Sequence, residues 1–170
     1  LGLIRLFPEF KILAPGDPNE TIGCMQNLFS SNGPSYLRLK KAGESNYNKN
    51  VNKIESGLWN KVIESKNNKI FLTTSGGLKL AFDKLKVEKK YKDYGIYTCP
   101  IWGQKYKDLQ QSQVDVFEEI ISVEDHLADG GFGSWLRESL IDMSSHLKLK
   151  NMAFSSNIIG AVGSEQYLLK

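Results

Sequence analysis

The chain has 170 residues, 41% hydrophobic and 24% charged, with a formal net charge of +3. This suits one core of ordinary size with an appendage: no run is long and apolar enough to span a membrane, no secretory signal pattern is present, and two cysteines give no disulfide framework. These features together lead us to expect a cytoplasmic protein. The lysines are scattered except for Lys84, Lys86, Lys89, Lys90 and Lys92, a group that reads as the solvated end of a helix and not as a nucleic-acid surface.

In chain order, residues 1–7 read as the last turn of a helix. A strand then leads to Pro15-Gly16-Asp17-Pro18-Asn19-Glu20, where Asp17 is placed as an N-cap, Pro18 as the first helical residue and Glu20 as the N3 partner of a capping box. Ile22, Met25 and Phe29 give the following helix an apolar stripe. Asn32-Gly33-Pro34 is a turn, and residues 35–39 read as a strand with Arg38 near its carboxyl end. Cys24, in the helix, and Cys99, after a later strand, read as buried thiols.

Residues 41–68 are rich in Lys, Asn, Ser and Glu and read as a linker, ordered only around Ile54, Leu58, Val62 and Ile63. Beyond it strands and helices alternate. A strand at 69–74, a helix with Leu78, Ala81, Phe82 and Leu85 on one face, and a strand at 94–98 stopped by Pro100 come first. A weaker helix through Tyr106, Leu109, Val114 and Phe117 precedes an apolar strand at 120–123. A last strand is expected at 152–155 and a last helix at 163–169. Such alternation predicts a three-layer α/β sandwich with a mostly parallel sheet, preceded by the remnant of a second α/β domain.

The richest stretch is Glu124-Asp125-His126-Leu127-Ala128-Asp129-Gly130-Gly131-Phe132-Gly133-Ser134. Its glycines permit a tight turn with positive φ, expected at Gly131, and Ser134 is placed to cap a helix carrying Leu136, Leu140, Met143 and Leu147. Such a turn can cradle a phosphate or serve geometry alone. The dinucleotide fingerprint is incomplete, because Leu136 stands where its third glycine belongs, and this favours geometry. Alternation along the strand sets Glu124 and His126 on one face and Asp125 on the other, which makes no catalytic triad. His146 reads as part of a helical C-terminal turn, and two histidines without ligand spacing do not make a metal site.

Both the segment 6–20, with Pro15, Asp17 and Glu20, and the segment 120–134 resemble the transketolase family. The first is similar to the end of its pyrimidine-binding domain and the second to its C-terminal domain. Ser56-Gly57-Leu58-Trp59 resembles the segment that crosses between them. The resemblance implies residues 1–40 as the end of the pyrimidine-binding domain, 41–68 as linker and 69–170 as the C-terminal domain. It implies transfer of a two-carbon ketol unit between sugar phosphates, with carbanion chemistry supplied by thiamine diphosphate and Mg2+. These would be bound by sequence absent from this chain, in a missing N-terminal region or a separate subunit, within a homodimer or heterotetramer. Gly16-Asp17-Pro18 lacks the second glycine of the family's metal motif.

By the same resemblance Arg38 contacts the substrate phosphate, a task suited to its planar fork, while Arg5 and Lys40 are expected in solvent. Glu124, Asp125, His126, Gly130 and Gly131 are expected at a domain edge or interface, and no residue is assigned a catalytic role. Deoxyxylulose-phosphate synthases and the β subunits of 2-oxoacid dehydrogenases share the same style of segment. A non-catalytic docking module is the alternative of another class.

Overall fold

The computed structural model describes residues 1–41, 43–50, 53–141 and 147–163. Two sheets organise them. In the first, β1 (Lys11–Leu13) lies between β2 (Ser35–Leu37), parallel to it, and β6 (Ile101–Trp102), antiparallel. The second runs in the order β3 (Asn60–Ile63), β5 (Gly95–Thr98), β4 (Lys69–Thr73), β7 (Glu119–Leu127) and β8 (Lys148–Phe154), all parallel except β3 at the edge. The architecture is α/β with a mostly parallel main sheet.

Strand alternation divides the main sheet into two apolar faces. Phe71, Ile96, Ile121 and Val123 meet Leu78 and Ala81 of α2 (Gly77–Val87), with Tyr91 and Tyr94 closing the layer. Ile70, Leu72 and Ile120 face the other way. They pack on Val114 of α3 (Asp108–Val114), on Phe132, Trp135 and Leu136 of α4 (Phe132–Ser139), on Ile12 and Trp102 of the first sheet and on Ala14 just after β1. The two sheets therefore share one core. Each fully buried Leu, Ile or Phe in it contributes about 1.5–3 kcal/mol relative to exposure.

Several elements differ from the sequence expectation. Helix α1 (Pro18–Phe29) buries Glu20, Gly23 and Cys24, whereas Ile22 and Phe29 are exposed. A polar anchor at Glu20, described below, sets the rotation of the helix against its apolar stripe. Residues 60–63 form an edge strand, and β6 rejoins the first sheet after Pro100, a return too short to show periodicity. Strand β8 begins at Lys148, earlier than expected, because the exposed lysines of an edge strand look like loop. Residues 4–6 form a 3-10 turn, not an α-helical one. Met143, His146 and residues 164–169 of the expected last helix lie outside the described residues. No described helix is long and apolar enough to cross a membrane.

Candidate functional site

In the main sheet the chain passes from β4 to β5 on one side and then to β7 on the other, so the strand order reverses at β4. Open α/β sheets present their ligand-binding crevice at such a reversal, outside the carboxyl ends of the strands. Here that position is formed by Thr74-Ser75-Gly76, between β4 and α2, and by Glu124, Asp125 and His126 of β7. The first sheet is fastened to it: Ser75 N–H donates to the Ala14 carbonyl at 2.8 Å, and the Thr74 hydroxyl donates to the same oxygen at 3.3 Å.

Arg38 reaches this crevice from the end of β2, where its own N–H donates to the Leu13 carbonyl at 2.8 Å. Its guanidinium forks onto Asp125, with Nη1 donating to Oδ1 at 2.8 Å, Nη2 to Oδ2 at 3.2 Å and Nη2 also to the Asp125 carbonyl at 3.2 Å. Five N–H groups are available on a guanidinium, so two remain beyond these three bonds. The Arg38 side chain is 26% exposed. Lys40 lies beside the pair and is bound to Glu44 at 3.0 Å, not free in solvent as expected. Next to it opens a cleft of about 280 Å³ lined by Lys40, Lys41, Glu44, Ser45, Tyr47 and Lys79.

On the opposite face of β7, Glu124 performs the capping expected of Ser134. Its carboxylate accepts from Phe132 N–H at 2.6 Å and Gly133 N–H at 2.9 Å, satisfying donors in the first turn of α4. Burial pushes its pKa up to about 7, against the effect of these hydrogen bonds. Gly131 has φ −81°, so the positive φ expected there is found at Gly130, at +70°. Gly131 is needed for space: a Cβ would overlap the Glu124 carboxylate and the Leu127 carbonyl.

Arg5 is buried at 7% exposure, contrary to the solvated position expected of it. It donates to the Gly131 carbonyl at 3.3 Å and Ser134 Oγ at 3.1 Å, and pairs with Glu138. His126 Nδ1 lies 3.2 Å from the Leu127 carbonyl and its Nε2 3.4 Å from the Leu1 nitrogen, with burial lowering its pKa. Arg38, Glu124, Asp125, His126, Gly130 and Gly131 are thus gathered where the first forty residues meet the main sheet. Asp125 joins Arg38 on one face, while Glu124, Gly130 and Gly131 build the turn on the other.

Sequence reasoning missed a buried polar network at the start of α1. Asp17 Oδ1 accepts from Glu20 N–H at 2.8 Å as the expected cap, while Oδ2 accepts from the backbone N–H groups of Tyr47 at 2.9 Å and Asn48 at 2.7 Å. Glu20 departs from the capping box. One oxygen accepts from Gly16 N–H at 2.8 Å; the other takes Asn48 Nδ2 at 3.2 Å, Asn60 Nδ2 at 3.2 Å and the Thr98 hydroxyl. Burial raises its pKa. Nothing in the Asn-rich composition of the linker singles out Asn48 as a buried residue.

Cys24 and Cys99 are free and buried, and burial raises both thiol pKa values, which suits packing over nucleophilic chemistry. Asp17, in the Gly-Asp pair that resembles part of a metal motif, commits both oxygens to N–H groups. Among the described residues no group of three or more His, Cys, Asp or Glu is placed to hold a metal ion. These residues do not fit a magnesium-bound diphosphate.

A scan against protein-family profiles returned no match. Among solved structures, the chain is similar to a split-gene transketolase described as an inactive beta4 tetramer, with TM-score 0.75 and 19% identity over 90% of this chain and 51% of that one. It is also similar to the transketolase from Leishmania mexicana, with TM-score 0.57 and 16% identity over 87% of this chain and 21% of that one. The chain has the fold of a transketolase C-terminal section. Among curated proteins it is 29% identical over 164 residues to 1-deoxy-D-xylulose-5-phosphate synthase of Clostridium perfringens and 27% identical over 161 residues to that of Clostridium tetani. Each match covers 94% of this chain and 26% of the relative. The chain therefore spans about a quarter of the length of the curated relatives it matches.

Proposed function

We propose that the chain is the C-terminal part or a subunit of a thiamine diphosphate-dependent, transketolase-like enzyme that transfers a two-carbon ketol unit between sugar phosphates. The observation that carries this reading is coverage: transketolase-like relatives align with 94% of the chain and a transketolase structure with 90% of it. In this reading residues 1–40 end a pyrimidine-binding domain, 41–68 link and 69–170 form the C-terminal domain. Thiamine diphosphate and Mg2+ are held by an N-terminal region or separate subunit, within a cytoplasmic homodimer or heterotetramer. The split-gene neighbour supports the subunit form.

Arg38 contributes to substrate positioning. Its remaining N–H groups can donate to a phosphate oxygen at the carboxyl end of β2, beside a cleft that carries three lysines. A second reading, synthesis of 1-deoxy-D-xylulose 5-phosphate, is favoured by the names of the curated relatives. Assaying the native assembly for ketol transfer and for deoxyxylulose-phosphate formation separates the two. In either reaction Arg38→Ala should raise KM for a phosphorylated acceptor about tenfold and affect an unphosphorylated acceptor less. Equal losses, or none, would remove Arg38 from the phosphate site.

A further inference from the structure

We infer that Asp125 is a positioning residue for the Arg38 guanidinium and that Gly76 is required to leave it room. This rests on the proposed role of Arg38 in phosphate binding. A free arginine side chain at a sheet edge samples many rotamers, and fixing one costs entropy at the moment of binding. Asp125 meets that cost in advance. Its two carboxylate oxygens and its carbonyl hold Nη1 and Nη2 from an element 87 residues away, and its side chain is only 15% exposed. The bidentate contact fixes the plane of the guanidinium as well as its place.

The space for this carboxylate comes from the turn after β4. A Cβ on Gly76 would lie 2.8 Å from Asp125 Oδ2 and 2.8 Å from Lys40 Nζ. Gly76 has φ −62°, a conformation open to any L residue, so backbone freedom does not explain the glycine there. Adding a methyl group would displace the ends of two side chains and leave every charge in the molecule unchanged. Gly76→Ala therefore separates geometry from charge, which Asp125→Asn changes together.

The test compares Arg38→Ala, Asp125→Asn and Gly76→Ala in the native assembly, using phosphorylated and unphosphorylated acceptors and thermal melting as a control of folding. Positioning predicts that Gly76→Ala and Asp125→Asn each raise KM for the phosphorylated acceptor at least about threefold. Turnover at saturation and KM for the unphosphorylated acceptor should stay within about twofold. Asp125→Glu, which keeps the charge and adds one methylene, should recover part of the loss. If Arg38→Ala is selective but Gly76→Ala and Asp125→Asn leave KM unchanged, positioning is overturned and the phosphate role of Arg38 stands. If Arg38→Ala shows no selectivity, the phosphate reading fails and the positioning inference falls with it. Melting that drops in Asp125→Asn leaves Gly76→Ala as the deciding variant.

Discussion

At the scale of single residues, Glu124 balances two opposed effects. Its carboxylate supplies the acceptors that the first turn of α4 needs, yet burial disfavours its charged form. Because its folded pKa, about 7, lies above the ordinary 4.5, the folded state binds the proton more tightly than the unfolded chain. The contribution of this group to stability is therefore full below about pH 4.5 and is lost as pH rises through about 7. Melting the wild type and Glu124→Gln across this range should show a difference between them that changes with pH; a constant difference would mean that Glu124 titrates at its ordinary value.

Gly131→Val meets a different constraint. The added side chain would overlap the cap itself, so destabilisation above about 1 kcal/mol is expected in chemical denaturation. His126→Ala should leave the fold intact and turnover of the assembly within about tenfold, less than a general acid or base contributes. A thousandfold fall in a well-folded His126→Ala variant would make the histidine catalytic.

At the scale of elements, the N-terminus of α1 is fixed by chain from far along the sequence. Asn48 donates through its backbone and side chain to Asp17 and through its side chain to Glu20. Asn48→Ala removes the side-chain donor and leaves two buried carboxylates short of partners, which should cost about 1–3 kcal/mol. Limited proteolysis should then cut residues 43–50 faster; unchanged melting and cleavage would show that the backbone contacts suffice.

This network also marks the limit of what the sequence discloses. The cap at Asp17, the strand before and the helix after the glycine turn, and the opposed faces of Glu124 and Asp125 follow from local periodicity and short-range chemistry. The rotation of α1, the burial of Arg5 and the partner of Glu20 depend on residues tens of positions away, which no local pattern encodes. Arg38 was legible as a strand-end arginine. Its fork onto Asp125 was not, because that contact exists only once two sheets have met.

At the scale of the whole molecule, one core shared by two sheets gives the first forty residues a fixed place on the main sheet, pinned by Arg5–Glu138 on one side of β7 and Arg38–Asp125 on the other. Under the proposed function, such an arrangement would supply shape and a phosphate contact to an assembly whose cofactor is held by another region or subunit. The isolated chain should accordingly show no binding of thiamine diphosphate with Mg2+ at about micromolar affinity in a calorimetric titration.

The most direct measurement is turnover of a ketose phosphate and an aldose phosphate by the native complex that contains this chain, with and without thiamine diphosphate. The account predicts two-carbon transfer that disappears when the cofactor is removed, returns when it is restored, and needs more phosphorylated acceptor when Arg38 is replaced by Ala. Transfer that persists without the cofactor, or a cofactor-loaded complex inert toward every phosphorylated sugar, would contradict it.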